Sequence, residues 1–487
     1  MIHWREVIYV IGTLLLILSG FMVTALPIAL YYGDGDAPAI GLSIGITALV
    51  GSLAFLLTRS NKGEIAKREG FLIVAGGWMS MSLCCSLPYL LAGVLPDFTN
   101  ALYESVSGLT TTGATVFNDI EALPRGILYW RSLTQWIGGM GIIVLTVALF
   151  PLLGIGGVEL FVNEAPGPTS DKLHPRIKDT ARALWFIYFG LTLVLMPVLY
   201  FCGMSGYDSV NHALTTMATG GFSTKNASIA AFESPLIEWV LTGFMFVAGI
   251  NYTVIYFGLT GNFRRAWGSE EFRTYLYAVL ALVVGVGACL YWLEFAPATD
   301  ALRVAAFQVV SVITTTGFAS ADYTSWSTSL TMIFFALLFV GACAGSTSGG
   351  IKIIRHQVFF KNCLLEFKRL LHPRAIVRMK IDEQVVPPGI LTHVLVFLLL
   401  YLLIFVVGSV LMGIILHDFD HPMLSALGAV ATSLGNVGPS IGDLGPTDNF
   451  YAVPGIGKWL LIIIMLLGRL ELFTILILLS PYFWRDN

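Results

Sequence analysis

Thr110-Thr111-Thr112-Gly113, Ala218-Thr219-Gly220-Gly221, Thr314-Thr315-Thr316-Gly317 and Gly435-Asn436-Val437-Gly438 are four short polar loops, each set between long apolar runs. The chemistry open to them is ligation without charge. A cation that leaves water needs oxygens in place of its hydration shell, and rings of backbone carbonyls can supply them. Glycine reaches dihedrals closed to other residues, so successive carbonyls can face one way, and threonine adds a neutral hydroxyl acceptor. A single tripeptide of this kind marks only a turn. Four copies, with Gly113, Gly221, Gly317 and Gly438 set 108, 96 and 121 residues apart, suggest one fourfold site. The register of the second copy is open by one residue, because Gly220 and Gly221 are adjacent.

Two further features stand out in apolar surroundings. Gly341-Ala342-Cys343-Ala344-Gly345-Ser346-Thr347-Ser348-Gly349-Gly350 interrupts an apolar segment. Counted from Trp326 at about 1.5 Å per residue, it begins roughly 22 Å down, below the expected filter. Close helix packing through small residues is the plainer reading of such a stretch. A phosphate-binding loop is excluded, since Ile351 separates Gly350 from Lys352 and no strand precedes it. Arg469 stands about 17 Å into the last apolar segment, where a charge is costly and usually faces a cavity or a partner. Glu471 is the nearest carboxylate, but a two-residue spacing puts the pair on different helix faces.

The elements that must position these residues follow from composition. With 56% hydrophobic and 12% charged residues among 487, and a mean hydropathy of +0.80, the chain cannot present an ordinary solvated surface. It reads as an all-α polytopic membrane protein of about 10 spanning helices, each needing about 20 apolar residues. Residues 1–69 hold a leading pair of spans. Four similar units follow, at 70–181, 182–273, 274–388 and 389–487, each a span, a half-length segment ending in the polar loop, and a second span. About 11 residues rise only about 16 Å as a helix, so a half segment enters the membrane without crossing it. Backbone of that kind is tolerated at membrane depth only when buried in protein or lining a wet cavity, which points to a pore.

Charge sets the expected orientation. Of the 27 Lys and Arg residues, 21 fall in the termini and the connections 59–69, 172–182, 264–273 and 352–380, which places both termini in the cytoplasm. The opposite connections carry Asp34, Asp36, Asp97, Asp119, Glu121, Glu233, Asp322, Asp418, Asp420, Asp443 and Asp448, an acidic outer mouth or simply solvated loop carboxylates. Trp130, Trp239, Trp326 and Trp459 stand where interfacial anchors belong, with packing as the alternative. The six cysteines lack ligand spacing and read as small hydrophobes. The eight histidines form no catalytic constellation, and His212 reads as a satisfied polar contact. An enzyme is not expected, and neither is nucleic-acid binding. Residues 8–30 are too long an apolar run for a cleavable signal peptide.

The four loops, the leading pair and the connection Asn163-Glu164-Ala165-Pro166-Gly167-Pro168, continuing to Lys172-Leu173-His174-Pro175-Arg176, together resemble the Trk/Ktr/HKT superfamily of potassium transporters. The nearest likeness is the bacterial TrkH-type subunit, since Ktr-type relatives lack the leading spans. The resemblance implies one pore with a filter strand from each unit, at the four tetrapeptides given above. Asn436-Val437 departs from the threonine-rich pattern. Gly113, in a position where serine accompanies sodium transport, implies potassium selectivity. The resemblance also makes 341–350 an intramembrane gating loop, with Gly341, Gly345, Ser346, Thr347, Ser348, Gly349 and Gly350 as its mobile residues and Arg469 as its restraint. It further implies a bacterial inner-membrane location, contact with lipid, a homodimer and a cytosolic TrkA-type nucleotide-binding ring. No cofactor is expected on this chain, potassium being cargo. The competing class is an ion-coupled symporter with alternating access, which would be built from inverted repeats. Here every half segment starts from the outside, so the units read as parallel.

Overall fold

The computed structural model describes residues 2–58, 67–144, 173–374 and 378–485. Arg59, Lys62, the 163–168 connection and Lys172 lie outside the described residues. The fold is nearly all helical, as the composition predicts. α1 (Trp4–Val23) continues through Thr24 into α2 (Ala25–Tyr32), and α3 (Ala37–Thr58) returns beside it. Gly12 and Gly51 meet at that contact, where a Cβ on Gly12 would come 2.8 Å from the Phe55 amide nitrogen. Small residues allow this approach between membrane helices.

A longer helix, a short helix and a further helix then recur four times. The first set is α4 (Lys67–Leu91), α5 (Phe98–Leu109) and α6 (Arg125–Val144). The second is α7 (Leu173–Phe201), α8 (Gly206–Met217), α9 (Pro235–Ala248) and α10 (Tyr252–Leu259). The third is α11 (Glu270–Trp292), α12 (Ala298–Ile313), α13 (Thr328–Leu337) and α14 (Ile353–Leu371), followed by a hairpin of β1 (Lys380–Ile381) and β2 (Gln384–Val385). The fourth is α15 (Pro388–Ile415), α16 (Pro422–Gly435), α17 (Gly455–Arg469) and α18 (Phe473–Leu479). The short helices start on local signals. Asp97 accepts the Asn100 amide at 3.0 Å, Ser205 accepts the Asp208 amide at 3.1 Å, and α16 opens on Pro422.

Among the described residues six helices are long and apolar enough to cross a membrane, or eight if each bent pair counts as one. The sequence expectation of about ten also counts α6 and the interrupted α13–α14 segment. The second helices of sets two and four are not the straight spans expected. α9 and α10 meet at 105°, and α17 and α18 at 117°. Polarity is inverted relative to a water-soluble fold. Large apolar side chains such as Leu57, Leu399 and Ile414 are exposed on the outside, whereas Thr110, Thr215, Thr314 and Ser433 are fully buried at the centre.

Both chain ends gather on one face. His3 Nδ1 lies 2.9 Å from Glu69 Oε1, Arg68 donates to the Arg485 carbonyl at 2.8 Å, and Trp4 stacks on Trp484. Trp239 and Trp459 are exposed, as anchors should be, but Trp130 is buried and donates to the Cys85 carbonyl at 3.1 Å, so it packs the interior. Several of the expected mouth carboxylates are braces. Asp34 accepts the Arg125 amide and Asp36 the Ile127 amide, each at 3.0 Å, and Asp443 accepts Ser425 Oγ at 3.0 Å. Burial holds the Asp36 carboxyl above the usual carboxylate range.

Candidate ion pathway

The four short helices all stop at the polar tetrapeptides, with C-caps at Thr110, Ala218, Thr314 and Asn436. Their partly negative C-terminal ends therefore converge where the loops begin. The backbone then repeats one signature. Thr111, Thr219, Thr315 and Asn436 hold φ of 54°, 52°, 55° and 52°, and Gly113, Gly221, Gly317 and Gly438 hold 83°, 76°, 80° and 102°. Left-handed conformations at non-glycine residues cost about 1–3 kcal/mol each and persist only where the surroundings enforce them. Two left-handed residues separated by one other, in every loop, settle the open register. Gly221 is the equivalent of Gly113, and Gly220 takes the place of Thr112, Thr316 and Val437.

The loops close into a ring. A Cβ on Gly113 would meet the Gly220 carbonyl oxygen, one on Gly221 the Thr316 oxygen, one on Gly317 the Val437 oxygen, and one on Gly438 the Thr112 oxygen, all under 3.0 Å. Each strand abuts the next in chain order and the fourth returns to the first. Asn436, the departure in unit four, reaches across and donates to Thr112 Oγ1 at 3.0 Å and to the Met465 carbonyl at 3.0 Å. The ring is neutral and buried except at Gly113, Gly221 and Gly317, which are partly exposed. Among the described residues no group of three or more His, Cys, Asp or Glu could hold a metal ion.

Residues 338–352 run without helix directly beneath this ring. The loop is closed at its base by the Gly341 amide, which donates to the Ile351 carbonyl at 2.8 Å. Its crown touches the ends of the four polar loops. The Gly349 amide donates to Thr315 Oγ1 at 2.6 Å, and Gly349 packs on the Gly435 carbonyl. Thr347 Oγ1 donates to the Met217 carbonyl at 3.1 Å, and Ser346 pairs with Ser348 at 2.8 Å. Gly345 and Gly350 both hold positive φ, and the Gly345 carbonyl accepts the Tyr252 amide at 3.1 Å. Plain helix packing is thereby overturned for this stretch, since its backbone bonds to neighbours rather than within a helix.

Arg469 joins the loop. Its guanidinium donates to the Thr347 carbonyl at 2.9 Å and to the Gly138 carbonyl at 3.2 Å, and the residue is 2% exposed. Glu471 pairs with Arg355 instead, so the local Arg469–Glu471 ion pair is not formed. Glu271 Oε1 accepts the Ala344 amide at 2.7 Å and the Ile354 amide at 3.3 Å, one carboxylate oxygen holding both flanks of the loop.

Sequence reasoning missed the residues behind the ring. Arg131 Nε donates to Glu104 Oε1 at 2.6 Å in full burial, Glu104 accepts the Val116 amide at 2.9 Å, and Arg131 reaches the Ser223 carbonyl at 3.0 Å. The signal was present, because Arg131 was one of the six basic residues outside the termini and the basic connections, and an ionisable residue within an apolar segment implies a partner. His212 is satisfied as expected, between the Asp208 carbonyl at 2.8 Å and Ser223 Oγ at 2.9 Å.

The family model described as TrkH, cation transport protein, matches residues 37–285 and 292–485. The chain is 40% identical over 490 residues to the Trk system potassium uptake protein TrkH of Salmonella typhimurium, covering 99% of this chain and 100% of that one. It is 33% identical to the Trk system potassium uptake protein TrkG of Escherichia coli, with 99% of each covered. The crystal structure of the potassium transporter TrkH from Vibrio parahaemolyticus matches with a TM-score of 0.90 at 37% identity, covering 99% of this chain and 100% of that one. The buried ring, the full-length match and the shared fold agree: this chain belongs to the TrkH family of cation transport proteins.

Proposed function

We propose that this chain is a potassium uptake pathway of a bacterial inner membrane, with residues 110–113, 218–221, 314–317 and 435–438 as its selectivity filter and 341–350 as its gate. The observation that carries the reading is the cyclic contact of the four left-handed glycines around one centre, with a non-helical loop seated beneath it. A ring of that kind offers carbonyl oxygens to a dehydrating cation. Arg469 restrains the loop and places positive charge under the filter, which opposes cations while the gate is shut. The four units at 70–181, 182–273, 274–388 and 389–487 and the leading pair at 1–69 make about ten spans, with both termini cytoplasmic. No cofactor takes part, and potassium is cargo.

The basic surface from Lys361 to Lys380, with Arg264 and Arg265, faces the same side as the termini in this reading. It suits a cytosolic nucleotide-binding ring, and the chain pairs as a homodimer in the lipid bilayer. Alternating access would call for inverted halves around a midplane site, whereas a ring that closes in chain order suits four parallel quarters.

Reconstitution into proteoliposomes with potassium, rubidium, sodium and lithium tests the reading. Gly113→Ser adds a Cβ that would run into the Gly220 carbonyl and a hydroxyl at the ring. Sodium uptake relative to potassium should rise in that variant. An unchanged ratio would refute the filter assignment.

A further inference from the structure

Gln135 lies on α6, four residues after Arg131 and three before Gly138, and it is fully buried. Its amide brackets the second filter strand. Nε2 donates to the Gly220 carbonyl at 2.6 Å, and Oε1 accepts the Phe222 amide at 3.0 Å. The partners fix the orientation of the amide, because a carbonyl only accepts and a backbone N–H only donates. Gly221 is therefore held from both neighbours by one side chain contributed by another unit.

The other three strands lack this contact. Among the described residues, the Thr112, Thr316 and Val437 carbonyls at the same level accept no side-chain hydrogen bond, while Gly220 accepts one from Gln135. The same Gly220 oxygen abuts Gly113 of the first strand. One corner of the ring is thus shared between the first strand and a protein donor.

We propose that Gln135 is a specificity-determining residue of the cation pathway. It does so by engaging one lone pair of the Gly220 carbonyl and setting the position of that oxygen. The inference rests on the filter reading given above. A carbonyl that already accepts a hydrogen bond offers a weaker field to an ion, and it is restrained from closing in. A small cation costs more to dehydrate and needs strong, close ligands to offset that cost, so a weakened and propped corner favours the larger cation. Removing the donor should free the oxygen and erode discrimination against sodium.

The test compares Gln135→Met, which keeps the side-chain length without either bond, with Gln135→Glu, whose carboxyl is neutral in this buried site and keeps both the acceptor for Phe222 and an O–H donor for Gly220. Potassium and sodium uptake are measured on the same purified, monodisperse preparation in proteoliposomes. Their ratio does not depend on how much protein is active. The potassium-to-sodium ratio of Gln135→Met should fall about fivefold, the factor that one neutral hydrogen bond is worth. A ratio in Gln135→Glu close to wild type supports the donated bond as the cause, and a fall equal to that of Gln135→Met overturns it. A ratio in Gln135→Met within twofold of wild type, while Gly113→Ser does shift it, overturns the inference and leaves the filter reading standing. If neither variant shifts the ratio, the filter reading fails and the inference fails with it.

Discussion

Replacing Arg469 with alanine isolates the restraint on the gate. In the structure its guanidinium makes two charge-assisted hydrogen bonds, one to Thr347 in the loop and one to Gly138 in α6. Bonds to charged groups contribute about 1.5–3 kcal/mol each. Taking the lower figure for both, the variant loses about 3 kcal/mol of closed-state preference, which is roughly a hundredfold in the open-to-closed ratio at 1.4 kcal/mol per decade. The positive charge beneath the filter is lost as well, and both changes act in the same direction. Rubidium uptake into proteoliposomes that contain the membrane chain alone should therefore rise by one to two orders of magnitude. Arg469→Lys keeps the charge but can serve only one carbonyl well, so it should fall between wild type and alanine. Flux through Arg469→Ala no higher than wild type, in protein that remains folded, would refute the restraint and the charge barrier together.

Two further outcomes follow from the buried charges. Arg131→Met strands the Glu104 carboxylate in a dry interior, and removing one partner of a buried pair costs about 3–5 kcal/mol. The thermal midpoint in detergent should drop sharply, and Glu104→Gln in the same chain should recover much of it; no recovery would show that the pair is not the cause. Asp36 has its pKa raised above 3.8 by burial, so its favourable contribution is full at low pH and is lost as pH rises from 3.8 through the raised value. Thermal midpoints of wild type and Asp36→Asn should diverge across that window, the wild type losing ground as pH increases, and parallel curves would contradict the assignment.

Much of the pathway was legible in the chain because its signals are local. Apolar length marks a span, a run of Thr and Gly marks backbone that cannot stay helical, and basic connections mark a side. The interruption at 341–350 announced itself through its own small residues. The bends after α9 and α17 did not. Arg469-Leu470-Glu471-Leu472 contains no proline or glycine, yet Glu471 and Leu472 adopt φ of 62° and 49°. There the neighbouring contacts override a sequence that would continue as helix: Glu471 is drawn to Arg355, and Leu472 is fully buried.

What the sequence alone determined is which segments are long and apolar enough to span a membrane and which four loops leave the helix, since both depend on the hydropathy and dihedral preferences of adjacent residues. Tertiary structure decided the rest: the register of Gly221, the reach of Arg469 to Gly138, the buried Glu104–Arg131 pair and the hold of Gln135 on Gly220. These partners lie between 27 and 331 residues apart. No local preference encodes such pairings. They form because packing the four units around one axis strands buried polar groups, and each must then find whatever partner the axis brings within reach.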